Sequence, residues 1–276
     1  MSSTTWRSVL TDAAALVGDV DARRIVEQAA GYDGADLVLH LDESPTQRSM
    51  AYFDAMLARR RSGEPLQYVL GRWGFRELDL LVDQRVLIPR PETEEVAGAA
   101  IAEARRLGAR CVVDLGTGSG AIALSMAVEL GPSVDVWATD VSSDALDVAR
   151  ANCAALGRAT ARVRLAEGSW YAALPEELRG AVDVIAANPP YVRETERLHP
   201  TVADWEPSVA LYGHPGVVVD EAPAWLRRPG ALVVEHAPWM GDEMVERARA
   251  AGFDDVELHH DLSERERWIV ARLSDR

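Results

Sequence analysis

Apolar residues in the first quarter of the chain recur at intervals of three and four. Trp6, Val9, Leu10, Ala13, Leu16 and Val17 share one side of a helix. Ala22, Ile25, Val26, Ala29 and Ala30 mark a second, with Asp19 or Asp21 as its cap and Gly31 as its stop. A short segment covers Leu37 to Leu41. After Pro45 comes a helix carrying Met50, Phe53 and Leu57. It ends in Arg59-Arg60-Arg61, where cations suit the helix dipole, and Gly63 closes it. The period changes near Arg72. Phe75 to Val82 alternates loosely, as a hairpin does. Beyond Arg90, apolar runs at 112–115, 134–139, 163–165, 182–187 and 231–235 read as strands. They alternate with helical stretches at 121–130, 144–156, 217–226 and 240–251. That alternation predicts an α/β fold, a mostly parallel sheet with helices on both faces. Runs at 256–258 and 268–271 follow with too little chain between them for a crossover helix. The last strand is therefore expected to run antiparallel.

Charge divides the chain in the same way. The whole carries −15. Residues 1–73 hold 8 Arg and 10 acids, and residues 74–276 hold 21 Arg and 34 acids, so the acidity resides in the α/β part. All 29 basic residues are Arg; there is no Lys. That excludes a Schiff-base lysine and a Walker A loop. A pI near 4.8 disfavours gripping nucleic acid through its phosphates, and the triple Arg reads as a helix end. Cys111 and Cys153 stand apart, with no CxxC and no Cys/His cluster, so neither a metal site nor a disulfide framework is expected. No apolar run reaches the roughly 18 residues of a membrane span, and no secretion signal opens the sequence. The expectation is a cytoplasmic monomer without membrane contact.

Three segments carry candidate chemistry. Asp114-Leu-Gly-Thr-Gly-Ser-Gly-Ala121 joins a strand to a helix. Its glycines let the backbone turn tightly and approach a ligand. Gly116, Gly118 and Ala121 also satisfy the dinucleotide fingerprint, so this stretch alone leaves NAD and S-adenosylmethionine open. Asp140 ends the next strand, where a carboxylate can accept the hydroxyls of an adenosine ribose. Asn188-Pro-Pro-Tyr191 follows a third strand at the carboxyl edge of the sheet. Its prolines fix two φ angles and remove two N–H donors. What remains is a stiff lip rich in acceptors, the Asn188 side-chain oxygen and the Pro189 carbonyl, beside the flat ring of Tyr191. Such a lip suits a planar NH2 group, and hydride transfer has no use for it.

The DLGTGSG and NPPY motifs together resemble the class I S-adenosylmethionine-dependent methyltransferases that act on planar nitrogens of nucleic acids and proteins. Gly63-Glu-Pro-Leu-Gln-Tyr-Val-Leu-Gly71, Leu87-Ile-Pro-Arg-Pro-Glu-Thr-Glu94, Glu206-Pro-Ser-Val-Ala-Leu211 and the ending Glu264-Arg-Glu-Arg-Trp-Ile-Val-Ala-Arg272 narrow the resemblance to the PrmC/HemK family of release-factor glutamine methyltransferases. It implies a helical substrate-recognition domain over 1–73, a bridging hairpin or linker over 74–89 and a catalytic domain over 90–276. It implies S-adenosylmethionine beside Gly116, Thr117, Gly118, Ser119, Gly120, Asp140, Trp170 and Asn188. A glutamine amide, from the Gly-Gly-Gln loop of a class-I release factor, would meet Asn188, Pro189, Pro190 and Tyr191, with Arg90, Pro91 and Glu92 lining its pocket. On the residues alone, Pro89-Arg-Pro-Glu92 is a stiff lead-in to a helix, Trp170 could equally be core, and His236 reads as structural. Two departures stand out. Ser169 occupies a position where relatives often carry Asp, and Tyr212-Gly-His-Pro-Gly216 replaces a Gly-Gly-x-Asp-Gly stretch near the substrate entrance. The alternatives are a ribosomal-protein glutamine or a nucleic-acid amine as substrate, an NAD-dependent oxidoreductase, and a binding module that has kept only the fold.

Overall fold

The computed structural model describes residues 4–275. It forms two compact units, one through Arg72 together with His199–Trp205, the other Trp73–Leu198 with Glu206–Arg276.

The first unit contains α1 (Trp6–Val17), α2 (Asp19–Ala30), α3 (Ala35–His40), α4 (Gln47–Arg61) and α5 (Leu66–Leu70). Thr5 caps α1 by accepting the Ser8 N–H, and Thr46 does the same for α4 through Ser49. Neither Asp19 nor Asp21 caps α2. Gly18 holds that position without a side-chain bond, and both acids lie in the first turn, where they favour the positive end of the helix. Gly31 ends α2 in the left-handed conformation, as its sequence position implies. Trp6, Val9, Ala13, Ile25, Val26, Phe53 and Met56 form the core. Leu16 was expected there, but it is 54% exposed. It sits three residues beyond Ala13, at the far edge of the stripe.

The second unit opens with a two-stranded hairpin, β1 (Arg72–Phe75) and β2 (Leu78–Leu81), of which Arg72 alone is counted with the first unit. α6 (Pro91–Leu107) follows, with Pro91 in its first turn and Glu92 and Glu94 beside it. Then come β3 (Cys111–Leu115), α7 (Ala121–Leu130), β4 (Asp135–Asp140), α8 (Ser143–Leu156), β5 (Val163–Glu167) and β6 (Val182–Ala187). The short α9 (Pro200–Ala203) belongs to the first unit. α10 (Ser208–Leu211), α11 (Gly216–Trp225), β7 (Leu226–Glu235), α12 (Gly241–Ala251), β8 (Asp255–His260) and β9 (Glu266–Leu273) complete the chain. β7 begins five residues before the apolar run that announces it. Leu226 already pairs with Val182 across an irregularity, and the polar Arg227-Arg-Pro-Gly stretch hides that start.

The sheet order is β5-β4-β3-β6-β7-β9-β8. β3 pairs in parallel with β4 and β6, and β6 with β7. β9 lies between β7 and β8 and is antiparallel to both, so the expected reversal of the last strand is present. Every residue of β6 is buried, and it is apolar except for Asp183, whose Oδ2 accepts the N–H groups of Arg110 and Cys111. α11 and α12 cover the face bearing Val113, Leu115, Ile185, Leu232 and Val234. α6 packs on β6 and β7 as well. The chain runs outward from β3 through β4 to β5, then returns to β6 on the other side of β3. The carboxyl ends of β3, β4 and β6 therefore open onto one crevice, the place where doubly wound sheets bind ligands.

Candidate active site

A cavity of about 370 Å³ occupies that crevice, within the range of small-molecule sites. One wall is the turn after β3. Asp114 is buried at the strand end. Its Oδ2 accepts hydrogen bonds from the Thr117 hydroxyl (2.6 Å) and the Ala123 N–H (3.0 Å), which ties the glycine turn to the start of α7. Its Oδ1 has no hydrogen-bond partner among the described residues. Burial pushes the Asp114 carboxyl up to about 7 against these two donors. Gly116 has φ +73°, and a Cβ there would lie 3.3 Å from Cζ3 of Trp170. The glycine is thus required both for the turn and for the close passage of the indole. Trp170 itself sits at φ +47° and, with Ser169, lines the cavity.

Asp140 forms the next part of the wall. Its Oδ2 accepts the Gly118 N–H (2.8 Å) and its Oδ1 the Ser142 N–H (2.9 Å). Burial raises its pKa, partly offset by backbone N–H groups of Ser142, Gly118 and Val141. Capping of α8 falls to Ser142, which accepts the Ala145 N–H, so the Asp140 carboxylate is left to the cavity side.

The opposite wall is built from Pro89, Thr93, Asn188 and Pro190. Asn188 donates from Nδ2 to Thr93 Oγ1 (3.0 Å), and Thr93 donates to Glu235 Oε2 (2.7 Å). Tyr191 donates its hydroxyl to Glu235 Oε1 (3.1 Å). Glu235 is fully buried at the end of β7, and burial pushes its carboxyl up to about 7. The Tyr191 phenol is raised above its usual range, first by burial and then by Glu235. Gly213, in the loop before α11, lets the backbone close on this lip: a Cβ there would come within 2.9 Å of Pro190 Cβ.

Not every expected residue reaches the cavity. Gly116, Thr117, Gly118, Ser119, Asp140, Trp170, Asn188 and Pro190 line it. Gly120 stands behind the turn as the residue before α7. Arg90, Pro91, Glu92, Pro189 and Tyr191 are not among its lining residues. Arg90 binds the buried Glu206, whose other oxygen accepts the Ile88 N–H. Glu92 faces Arg265 and Arg267. Leu87, Pro89 and Thr93 are the members of segment 87–94 that line the cavity, in place of the three expected. The signal for Thr93 was in the helical period: it precedes Val96, Ala97 and Ala100 on the buried stripe of α6, whereas Pro91 is exposed. His236 lies off the cavity, wholly buried, with Nδ1 against the Ala237 carbonyl.

Asp114 provides a test of this electrostatic picture. Its folded pKa stands above the ordinary carboxylate value, so its contribution to stability is complete below the unfolded pKa and is lost as pH rises toward 7. Asp114→Asn removes that titration. Between pH 5 and pH 8 the variant should gain about 2 kcal/mol on the parent. Denaturant midpoints at the two pH values measure this, and a pH-independent difference would refute it.

Two family models match the chain. The PrmC N-terminal domain covers residues 4–71, and the methyltransferase small domain covers residues 100–204. A release factor glutamine methyltransferase of Bifidobacterium longum is 37% identical over 283 residues, covering 96% of each chain. One of Cereibacter sphaeroides is 39% identical, covering 92% of this chain and 90% of its own. This chain belongs to the release factor glutamine methyltransferase family. Among solved structures, a 16S rRNA N2 G1207 methyltransferase of T. Thermophilus shares the fold, with a TM-score of 0.52 at 18% identity, over 73% of this chain and 49% of that one. Membership of the glutamine methyltransferase family removes the oxidoreductase alternative. Ser169, Tyr212, Gly213 and His214, from the two places where the sequence departs from the expected motifs, all line the cavity, and Gly213 lies against Pro190.

Proposed function

We propose that this protein transfers a methyl group from S-adenosylmethionine to the side-chain amide nitrogen of a glutamine in a class-I peptide chain release factor. The observation that carries the reading is the fixed orientation of the Asn188 amide. Its nitrogen donates to Thr93, while its oxygen takes no hydrogen bond among the described residues and belongs to a cavity-lining side chain. An acceptor stands where a planar NH2 group needs one.

The cavity fits the methyl donor. Gly116 leaves room for the Trp170 ring, Asp140 offers a carboxylate suited to ribose hydroxyls, and the turn from Gly116 to Gly120 leads into α7. When bound there, S-adenosylmethionine supplies an electrophilic methyl group. The chain's own residues act on the glutamine. An amide nitrogen is a weak nucleophile, and no side chain could deprotonate it near neutral pH. Catalysis therefore rests on position and electrostatics. Asn188 Oδ1 and the Pro189 carbonyl accept the two amide hydrogens and direct the nitrogen lone pair toward the donor. The same oxygens offset the positive charge that grows on nitrogen, and the proton leaves afterwards. Tyr191 and Pro190 stiffen the lip. Arg90, held by Glu206, fixes the lead-in to α6 next to Thr93.

We assign recognition of the release factor to the helical unit, and chemistry to the α/β unit. Among the described residues no helix is long and apolar enough to cross a membrane. The decisive experiment incubates the protein with a purified release factor and labelled S-adenosylmethionine, then maps the labelled peptide. Label on the glutamine of the Gly-Gly-Gln loop is the expected result. Label on rRNA or a ribosomal protein, with the release factor untouched, would overturn it.

A further inference from the structure

We propose that Thr93 and Glu235 are positioning residues which set the Asn188 amide with its oxygen toward the substrate, and that only the ionised Glu235 carboxylate does so. This inference rests on the glutamine methylation proposed above and deepens it.

The argument is one of counting hydrogens. The Thr93 hydroxyl has a single hydrogen and two heavy-atom partners, Glu235 Oε2 at 2.7 Å and Asn188 Nδ2 at 3.0 Å. An ionised carboxylate only accepts. The Thr93 hydrogen therefore points at Glu235, and Thr93 can offer Asn188 only a lone pair. Only the NH2 end of the Asn188 amide can use that lone pair, so the oxygen must face away from Thr93. The other carboxylate oxygen accepts from Tyr191. Glu235 thus anchors both flanks of the NPPY lip, the Asn188 amide through Thr93 and the Tyr191 ring directly.

Protonation of Glu235 reverses this direction. The new carboxyl hydrogen can go to Thr93 Oγ1, and the Thr93 hydrogen then turns to Asn188. The amide satisfies it by rotating half a turn, which presents NH2 to the cavity. A donor then meets the NH2 of the incoming glutamine, and the productive pose is lost. The surroundings place this change near neutrality, because burial pushes Glu235 up to about 7. The groups acting on it are Thr93 and Glu92 from α6, Tyr191 from the loop after β6 and Arg267 from β9, with His236 next to it in the chain just past the end of β7. The Arg267 charge is shared with Asp261 at 3.2 Å and Glu92 at 3.8 Å. The glutamine nitrogen has no titration in this range, so a pH step in turnover reports on the enzyme.

The test measures kcat with intact release factor and S-adenosylmethionine both saturating. In the parent, kcat should rise about tenfold from pH 6 to pH 8, the change in ionised fraction for a group titrating near 7. E235Q keeps an amide oxygen available to Thr93 and removes the Glu235 titration, so the step should vanish; Asp114→Asn, which removes the other carboxyl pushed up to about 7, should keep the parent's step. Thr93→Val removes the lone pair and should lower kcat about tenfold or more, the loss of one hydrogen bond to a group that must stay oriented. Its affinity for S-adenosylmethionine, by calorimetry, should not change. Thr93→Ser should recover most of the lost rate. Full kcat in Thr93→Val, no recovery in Thr93→Ser, or a surviving pH step in E235Q would each overturn the inference. A parent protein that methylates no glutamine at any pH would instead overturn the glutamine reading, and this inference with it.

Discussion

Asn188→Ala is expected to lose about two orders of magnitude or more in kcat on a release factor, as removal of one oxyanion-type group does, while still binding S-adenosylmethionine. The size follows from what the side chain does and what cannot replace it. Asn188 leaves the fully buried strand β6 and is followed by two prolines, so the backbone cannot shift to bring in another acceptor. Its amide plane is held by Thr93. Truncation leaves the substrate NH2 with the Pro189 carbonyl alone, free to rotate away from its reactive pose. The structural cost should be small, because Asn188 is only partly buried. Single-turnover kinetics on the variant, with calorimetric titration of the methyl donor, separates the two effects. Turnover within a few-fold of the parent would remove Asn188 from the reaction.

Asp140→Ala should act on the other half of the site. Loss of a hydrogen bond to a charged group costs about 1.5–3 kcal/mol, so affinity for S-adenosylmethionine should fall roughly 10- to 100-fold. Part of that cost is internal. The carboxylate also accepts the N–H groups of Gly118 and Ser142, which ties the glycine turn to the start of α8. With saturating donor, kcat on the release factor should return to near the parent value, since among the described residues no hydrogen bond joins Asp140 to the Asn188 lip. Unchanged donor affinity would mean that the ribose lies elsewhere. The two variants thus divide the cavity, one affecting rate at constant donor affinity and the other affinity at nearly constant rate.

The order and kind of elements were legible in the sequence because each obeys a local rule. β6 is apolar but for Asp183 since it is covered on both faces. α7 begins at Ala121 because the glycine turn ends there. The final strand had to reverse because no crossover could fit. Caps and edges were less legible. Gly18 rather than an acid caps α2, Leu16 lies outside the core, and β7 starts at Leu226, just before Arg227-Arg-Pro-Gly, whose polar residues conceal a strand. The motif residues that form the cavity wall, Gly116 to Ser119, Asp140, Asn188 and Pro190, were visible because their motifs punctuate strand ends. Arg90, Pro91 and Glu92 entered through the family resemblance; they do not line this cavity, and Arg90 and Glu92 instead meet Glu206 and Arg265.

What the sequence determined by itself was the α/β fold, the carboxyl-edge position of the motifs and an acceptor-rich lip suited to an NH2 group. Periodicity, proline and glycine act over a few residues, and these features need nothing more. Which atom of Asn188 faces the cavity was decided only by tertiary structure. The answer depends on Thr93, 95 residues earlier, and on Glu235, 142 residues beyond Thr93. Those side chains meet because α6, the loop after β6 and the end of β7 converge at one edge of the sheet. A hydrogen-bond direction passed through three such groups has no local signature in the chain.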